Sequence, residues 1–178
     1  MDFLYIEKIG NSMNIFALDS DPVKAAMFHS DKHVVKMILE TAQILSTVKR
    51  KYGWDTTYRP THQNHPCTLW AGRTKENYLW LRDLGRALST EYHRRYGKTH
   101  KSQSLFFGEL GLPPQDMPDG PLEPFAMAMP DACKHDDPVE AYRNYYQLKT
   151  DQHTWMAWAK LNNTPAWIRK PNEDKGAN

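Results

Sequence analysis

The 178-residue chain has only two cysteines, Cys67 and Cys133, and no CxxC pair. That excludes a disulfide framework and makes a reducing cytoplasm the expected setting. No apolar run approaches the ~18 residues a membrane span needs, so no membrane partner is expected. The opening MDFLYIEKIGNS carries acidic residues and lacks the architecture of a cleavable signal. An excess of one charge is missing as well, since the net charge is only +2. Nucleic-acid binding must then rest on local patches and not on overall charge. There is no internal repeat and no HExxH metal motif. What is abundant is aromatic side chains, with six Trp, nine Tyr and six Phe. They suit a packed core or the stacking of bases.

The length suits one domain with a real hydrophobic core. The expected class is mainly α: a compact single domain of three main helices with a long proline-rich irregular insertion. Residues 1–12 precede Met13, itself a plausible natural start, and read as an upstream extension or an expression remnant. The helical catalytic-type domain spans 13–170, and 171–178 form a flexible tail. NIFALD (14–19) reads as a strand or extended entry. Asp21 caps a first helix with Pro22 at its first position, and the pattern runs to about Lys51, with a kink at Ser30 and Asp31. Residues 54–74 read mainly as loop. A second helix covers Lys75 to Tyr96, with Tyr78, Leu81, Leu84, Leu88 and Tyr92 as its apolar face and Gly97 as its stop. Seven prolines in 105–138 predict an ordered but irregular cover. A third helix starts at Asp137 and Pro138 and breaks near Thr150.

The stretch FHSDKHVVKMILETAQ (28–43) holds an unusual number of ionisable groups for a buried helix. Advancing ~100° per residue from His29 brings His33, Lys36, Glu40 and Gln43 onto one line. Met27, Val34, Ile38, Ala42 and Leu45 lie opposite as the core face. Large apolar residues (Phe28, Leu39, Met37, Ile44) flank the line on both sides, so the polar strip is narrow. A solvated face is the usual meaning of a charge stripe. This one is too narrow and too rich in histidine for that, and it reads better as the floor of a cleft. A carboxyl there would be raised by desolvation and lowered by Lys36, as in catalytic acids and bases. His29 and His33, at i and i+4, could also grip zinc if His65, Cys67, Cys133 or His135 joined them. Hydrogen bonding is the more common use of such histidines, so neither a metal nor any other cofactor is expected.

HRRYGKTHKS (93–102) gathers Arg94, Arg95, Lys98, His100 and Lys101 at a helix end, and Arg82 and Arg86 extend the charge up the helix. They form either a solubilising end favoured by the helix dipole or a phosphate clamp. The loop RPTHQNHPCTLW offers Asn64 and His65 to the same cleft.

DKHVVKMILE places Asp-x-His seven residues ahead of a Glu on the first long helix, and NHPCTLW, KENYLWLRDL and TPAWIRK follow in order. Over residues 31–96 and 156–170 this resembles the phage endonuclease V-type pyrimidine-dimer DNA glycosylases, and also uncharacterised proteins of tailed phages. The resemblance implies a small helical DNA repair enzyme in the host cytoplasm. By position it makes Glu40 the catalytic carboxylate, His33 the histidine beside the scissile nucleotide, Arg82 a basic contact and Trp167 the aromatic of the C-terminal tail. One feature departs from it. The family attacks C1′ with the amine of an N-terminal threonine, and no threonine follows Met13 here. Lys36, one turn before Glu40, is then the nearby amine.

The leading expectation is a DNA glycosylase acting on duplex DNA, with a flipped nucleotide entering the strip formed by His29, His33, Lys36 and Glu40. Gln43, Asn64, His65 and Trp167 would line the cleft. A phage enzyme that processes nucleotides or modified bases in the same cleft is the first alternative. A non-catalytic nucleic-acid- or protein-binding factor is the second.

Overall fold

A computed structural model describes residues 13–170, and among these there are five α-helices and two short 3₁₀ turns but no strand. The expected extension 1–12 and tail 171–178 lie outside the described residues. Residues 14–19 enter without ladder pairing and turn at Phe16, whose φ is 34°, which corrects the reading of a strand or extended entry.

Helix α1 (Pro22–Phe28) starts where the Asp21 carboxylate accepts from the Val23 N–H at 2.9 Å. It stops because His29 and Ser30 both adopt extended backbone angles, and α2 (Asp31–Lys51) begins immediately after them. The expected kink is thus a complete break of two residues. It interrupts the helix between His29 and His33, yet both rings still pack against Phe16 and Tyr146. It also moves Met27, expected in the core, to 41% exposure. Val34, Ile38, Ala42 and Leu45 are fully buried, as the periodicity requires.

The segment expected to be loop contains a further short helix, α3 (Pro66–Ala71). Its cap is His65, whose Nδ1 accepts from the Cys67 N–H at 3.1 Å, and it buries Cys67 and Trp70. Histidine is an uncommon cap, which is why the start was not legible. Helix α4 (Lys75–Tyr96) is capped by Thr74, and Gly97 ends it in the left-handed region at φ 64°. Tyr78, Leu81, Leu84 and Leu88 are buried on its inner face, which packs against α1 and α2. Helix α5 (Pro138–Gln152) is capped by Asp137.

The proline-rich cover is irregular and anchored at several points. Tyr78 donates its hydroxyl to the Leu110 carbonyl at 2.9 Å, and the rings of Trp80 and Phe125 lie 4.5 Å apart. Phe106 presses so closely on α4 that a Cβ at Gly85 would stand 2.4 Å from its ring. Only glycine admits that approach.

Candidate active site

The site begins with the entering chain. The Asn14 side chain folds back so that its Oδ1 accepts from the N–H groups of Ile15 and Phe16, while its Nδ2 donates to Ala128 of the cover at 2.8 Å. This fixes the backbone of Asn14, whose own N–H donates to the Glu40 carboxyl. Met13, Ile15 and Phe16 are buried around it.

Glu40 is only 8% exposed. One carboxyl oxygen lies 3.8 Å from the Lys36 Nζ. The other, Oε2, is buried and has no hydrogen-bond partner among the described residues. Burial raises its pKa from 4.5 to about 7, against the opposing pull of Lys36, the Asn14 N–H and Lys149. The carboxyl is therefore poised to give or take a proton near neutral pH.

His33 is buried two turns earlier on the same face. Its Nδ1 lies 2.8 Å from the Tyr146 hydroxyl, and its ring stacks on Phe16 at 4.7 Å. Burial holds it well below the usual histidine range, assisted by repulsion from His29, Lys149 and Lys36. It works as a neutral hydrogen-bonding group. Cys67, on α3, feels the charge of Glu40, but burial pushes its thiol up to about 12, so it is no thiolate nucleophile. Gln43 is half-buried, His65 is half-buried at the head of α3, and Asn64 is exposed.

Other expected groups are engaged within the fold. His29 ends α1 with its Nδ1 donating to the Ala25 carbonyl at 2.7 Å, and its ring packs against those of Tyr146 and Phe16 at 6.1 and 6.2 Å, the same two rings that hold His33. Trp167 packs edge-on against Phe28 at 5.7 Å, with the Arg143 guanidinium over its ring. Arg95 is not a surface clamp, because its side chain is 0% exposed and binds Asp31, Glu91 and the carbonyls of Met27 and His29. Arg82 donates to the Gly111 carbonyl and Arg86 to that of Phe106, so both tie down the cover instead of standing clear for phosphate. Arg94, Lys98 and Lys101 remain exposed, and His100 is half-buried. The zinc set considered from sequence is not assembled: among the described residues no three His, Cys, Asp or Glu side chains are grouped to hold a metal ion.

The structure also brings in groups the sequence reading missed. Lys149 and Tyr146, from α5, reach the strip, and so does Trp155, whose ring lies 5.4 Å from His33 and stacks on His153 at 5.2 Å. A signal for Lys149 existed. Tyr142, Tyr145 and Tyr146 form a buried stripe on α5, and Lys149 is its next member at helical spacing. An apolar cavity of about 520 Å³ lies alongside, lined by Thr150, His153, Met156, Trp158 and Ile168. Glu40 is not part of its wall, so it adjoins the reactive cluster without containing it.

No curated protein and no solved structure matches the chain. Residues 13–104, just over half of it, match the pyrimidine dimer DNA glycosylase family, and that stretch carries Asn14, His33, Lys36 and Glu40. Because that match covers more than half of the chain, and the frame among the described residues is all-helical, the chain belongs to the pyrimidine dimer DNA glycosylase family.

Proposed function

We propose that the protein releases a damaged or modified base from duplex DNA by cleaving its N-glycosidic bond, with Glu40 as acid and base. The observation that supports this most is the buried Glu40 carboxyl with an unpartnered Oε2, beside two lysines. As the bond between C1′ and the base breaks, the sugar gains positive charge and the departing base gains negative charge. A carboxyl near pKa 7 serves both needs, giving its proton to the base and then facing the cationic sugar as carboxylate. Neutral His33, held by Tyr146, orients the nucleotide through hydrogen bonds.

Phosphate contacts fall to Arg94, Lys98 and Lys101, with Lys32, Lys36 and Lys160 continuing the positive charge around the start of α2. The end of α4 sits there because Arg95 and the Tyr96 hydroxyl bind the Asp31 region. Nine residues of helix separate Asp31 from Glu40, roughly 13 Å, a distance within reach of one bound duplex. Trp155 is the aromatic placed to fill the space of an extruded nucleotide or to stack on it.

The test is Glu40→Gln on duplex DNA carrying ultraviolet-induced pyrimidine dimers and, in parallel, on duplexes with other modified bases. Glycosidic-bond cleavage, read as formation of an abasic deoxyribose because a dimer's base stays tethered to its neighbour, should be lost while the affinity for the same duplex is kept. Undiminished release in Glu40→Gln would remove the carboxyl from the reaction.

A further inference from the structure

The cluster around Glu40 holds an amine that this scheme leaves idle. Lys149 occupies the last turn of α5, where a lysine normally extends into water and complements the helix dipole. Here it is 6% exposed. Its Nζ lies over the ring of Tyr145 at 4.7 Å and 5.9 Å from that of Phe16. Among the described residues those ring faces are the contacts recorded for its ammonium, with no carboxylate in ion-pair range. Burial and the like charge of Lys36 push its pKa from 10.5 down to about 8, and Glu40 only partly offsets them. Lys36 differs in its surroundings, being 40% exposed and in an i, i+4 pair with Glu40.

A lysine near a reaction centre can hold an anion or add to an electrophilic carbon. Anion binding needs the charged form, which burial and a neighbouring lysine both disfavour at this position. Addition to carbon needs the neutral amine, which the same surroundings favour. The Glu40 carboxyl, whose charge Lys149 feels from beyond ion-pair range, supplies through intervening water the transfers that such an addition requires.

We propose that Lys149 is the amine that adds to C1′ of the substrate deoxyribose, an assignment that rests on the glycosylase reading above. The Nζ lone pair forms the bond to C1′ while the bond from C1′ to the base breaks. The electron pair of that bond leaves with the base, which takes the proton of the Glu40 carboxyl. The alkylated nitrogen then returns one proton to the Glu40 carboxylate. Opening of the sugar ring moves the C1′–O4′ electron pair to O4′, which is protonated by Glu40, and leaves a protonated imine between Nζ and C1′. Water hydrolyses it and restores the lysine.

The experiment is borohydride trapping with the full chain, followed by proteolysis and mass mapping of any adduct. One duplex carries pyrimidine dimers and a second carries a preformed abasic site, whose C1′ is already an aldehyde. The adduct should map to Lys149 on both duplexes. Lys149→Arg should lose trapping while keeping its melting temperature and duplex affinity, and the exposed-lysine control Lys24→Arg should trap like the parent. An adduct on Lys36 or another amine, or trapping that survives Lys149→Arg, would overturn the assignment. Base release with no adduct on either duplex overturns it too, yet leaves the glycosylase reading standing. No base release combined with a Lys149 adduct at the abasic site has the opposite meaning: the amine assignment holds and base excision falls.

Discussion

Helix α2 carries two buried clusters of charge, nine residues apart, and they are built on opposite terms. At Asp31 every strong valence is matched. Arg95 reaches Asp31 at 3.2 Å, Glu91 at 3.0 Å and the carbonyls of His29 and Met27 at 2.7 and 2.9 Å. The second Asp31 oxygen accepts from the Lys160 N–H, and the second Glu91 oxygen accepts from Arg94. At Glu40 the matching is left incomplete. One oxygen has a loose ion pair and a backbone N–H is supplied by Asn14, but Oε2 has no partner and Lys149 faces rings. Burial of charge alone therefore does not mark a reactive site. A fully satisfied network fixes the fold, whereas an unsatisfied one keeps capacity for a substrate.

Several changes would break or sharpen that contrast. The largest effect is expected from Glu40→Gln, which should lower the rate of base release by about 10²–10⁴-fold, the usual worth of a positioned acid or base. Single-turnover kinetics would measure it. Arg95→Ala should act on stability instead. It strands two buried carboxylates at a cost of about 3–5 kcal/mol, seen as a melting temperature lower by on the order of 10 °C. If Arg95→Ala melted like the parent but failed to act on DNA, the two clusters would have to exchange roles.

Next in size is Gly85→Ala, which overpacks the contact with Phe106 and should cost about 1–3 kcal/mol. Adding Phe106→Leu should restore part of the loss, as a double-mutant cycle in urea would show. Comparable in size is a pH effect. The Glu40 carboxyl holds its proton more tightly in the folded chain, about 7 against 4.5, so the native state loses stability as pH rises through that window. Glu40→Gln should match the parent in stability below pH 4.5 and exceed it above pH 7. The gain would be about 3 kcal/mol, with the attraction to Lys36 and Lys149 already counted in the rise from 4.5 to about 7. A difference that stays constant from pH 4 to 8 would contradict the buried-acid description.

Much of this was legible in the sequence. Caps at Asp21 and Asp137, the stop at Gly97 and the 3.6 period of α2 and α4 are local signals, and local signals suffice for helices. The burial of Glu40 was legible because its polar line is narrow and bounded by large apolar residues. Arg95 was not, because in HRRYGKTHKS it looks the same as Arg94. Its position was the better guide: Leu81, Leu84, Leu88, Glu91 and Arg95 recur at spacings of three and four, along the buried face. The two-residue break at His29 and Ser30 was legible only as a kink, because a dihedral break leaves little trace in composition. Lys149 could be paired with Glu40 only through the tertiary fold, since more than a hundred positions separate them.

The family stretch ends at residue 104, but the walls of the reactive cluster do not. Asn14, His33, Lys36, Glu40 and Cys67 lie inside the shared portion, while Ala128, Tyr146, Lys149 and Trp155 lie beyond it. On the proposed reading, relatives could share the acid and yet differ in the amine, the ring stack and the brace on the entering chain. Chimeras that exchange everything after residue 104 would separate the ability to break a glycosidic bond from the choice of what is bonded, and chemistry and selectivity could then drift independently along one lineage.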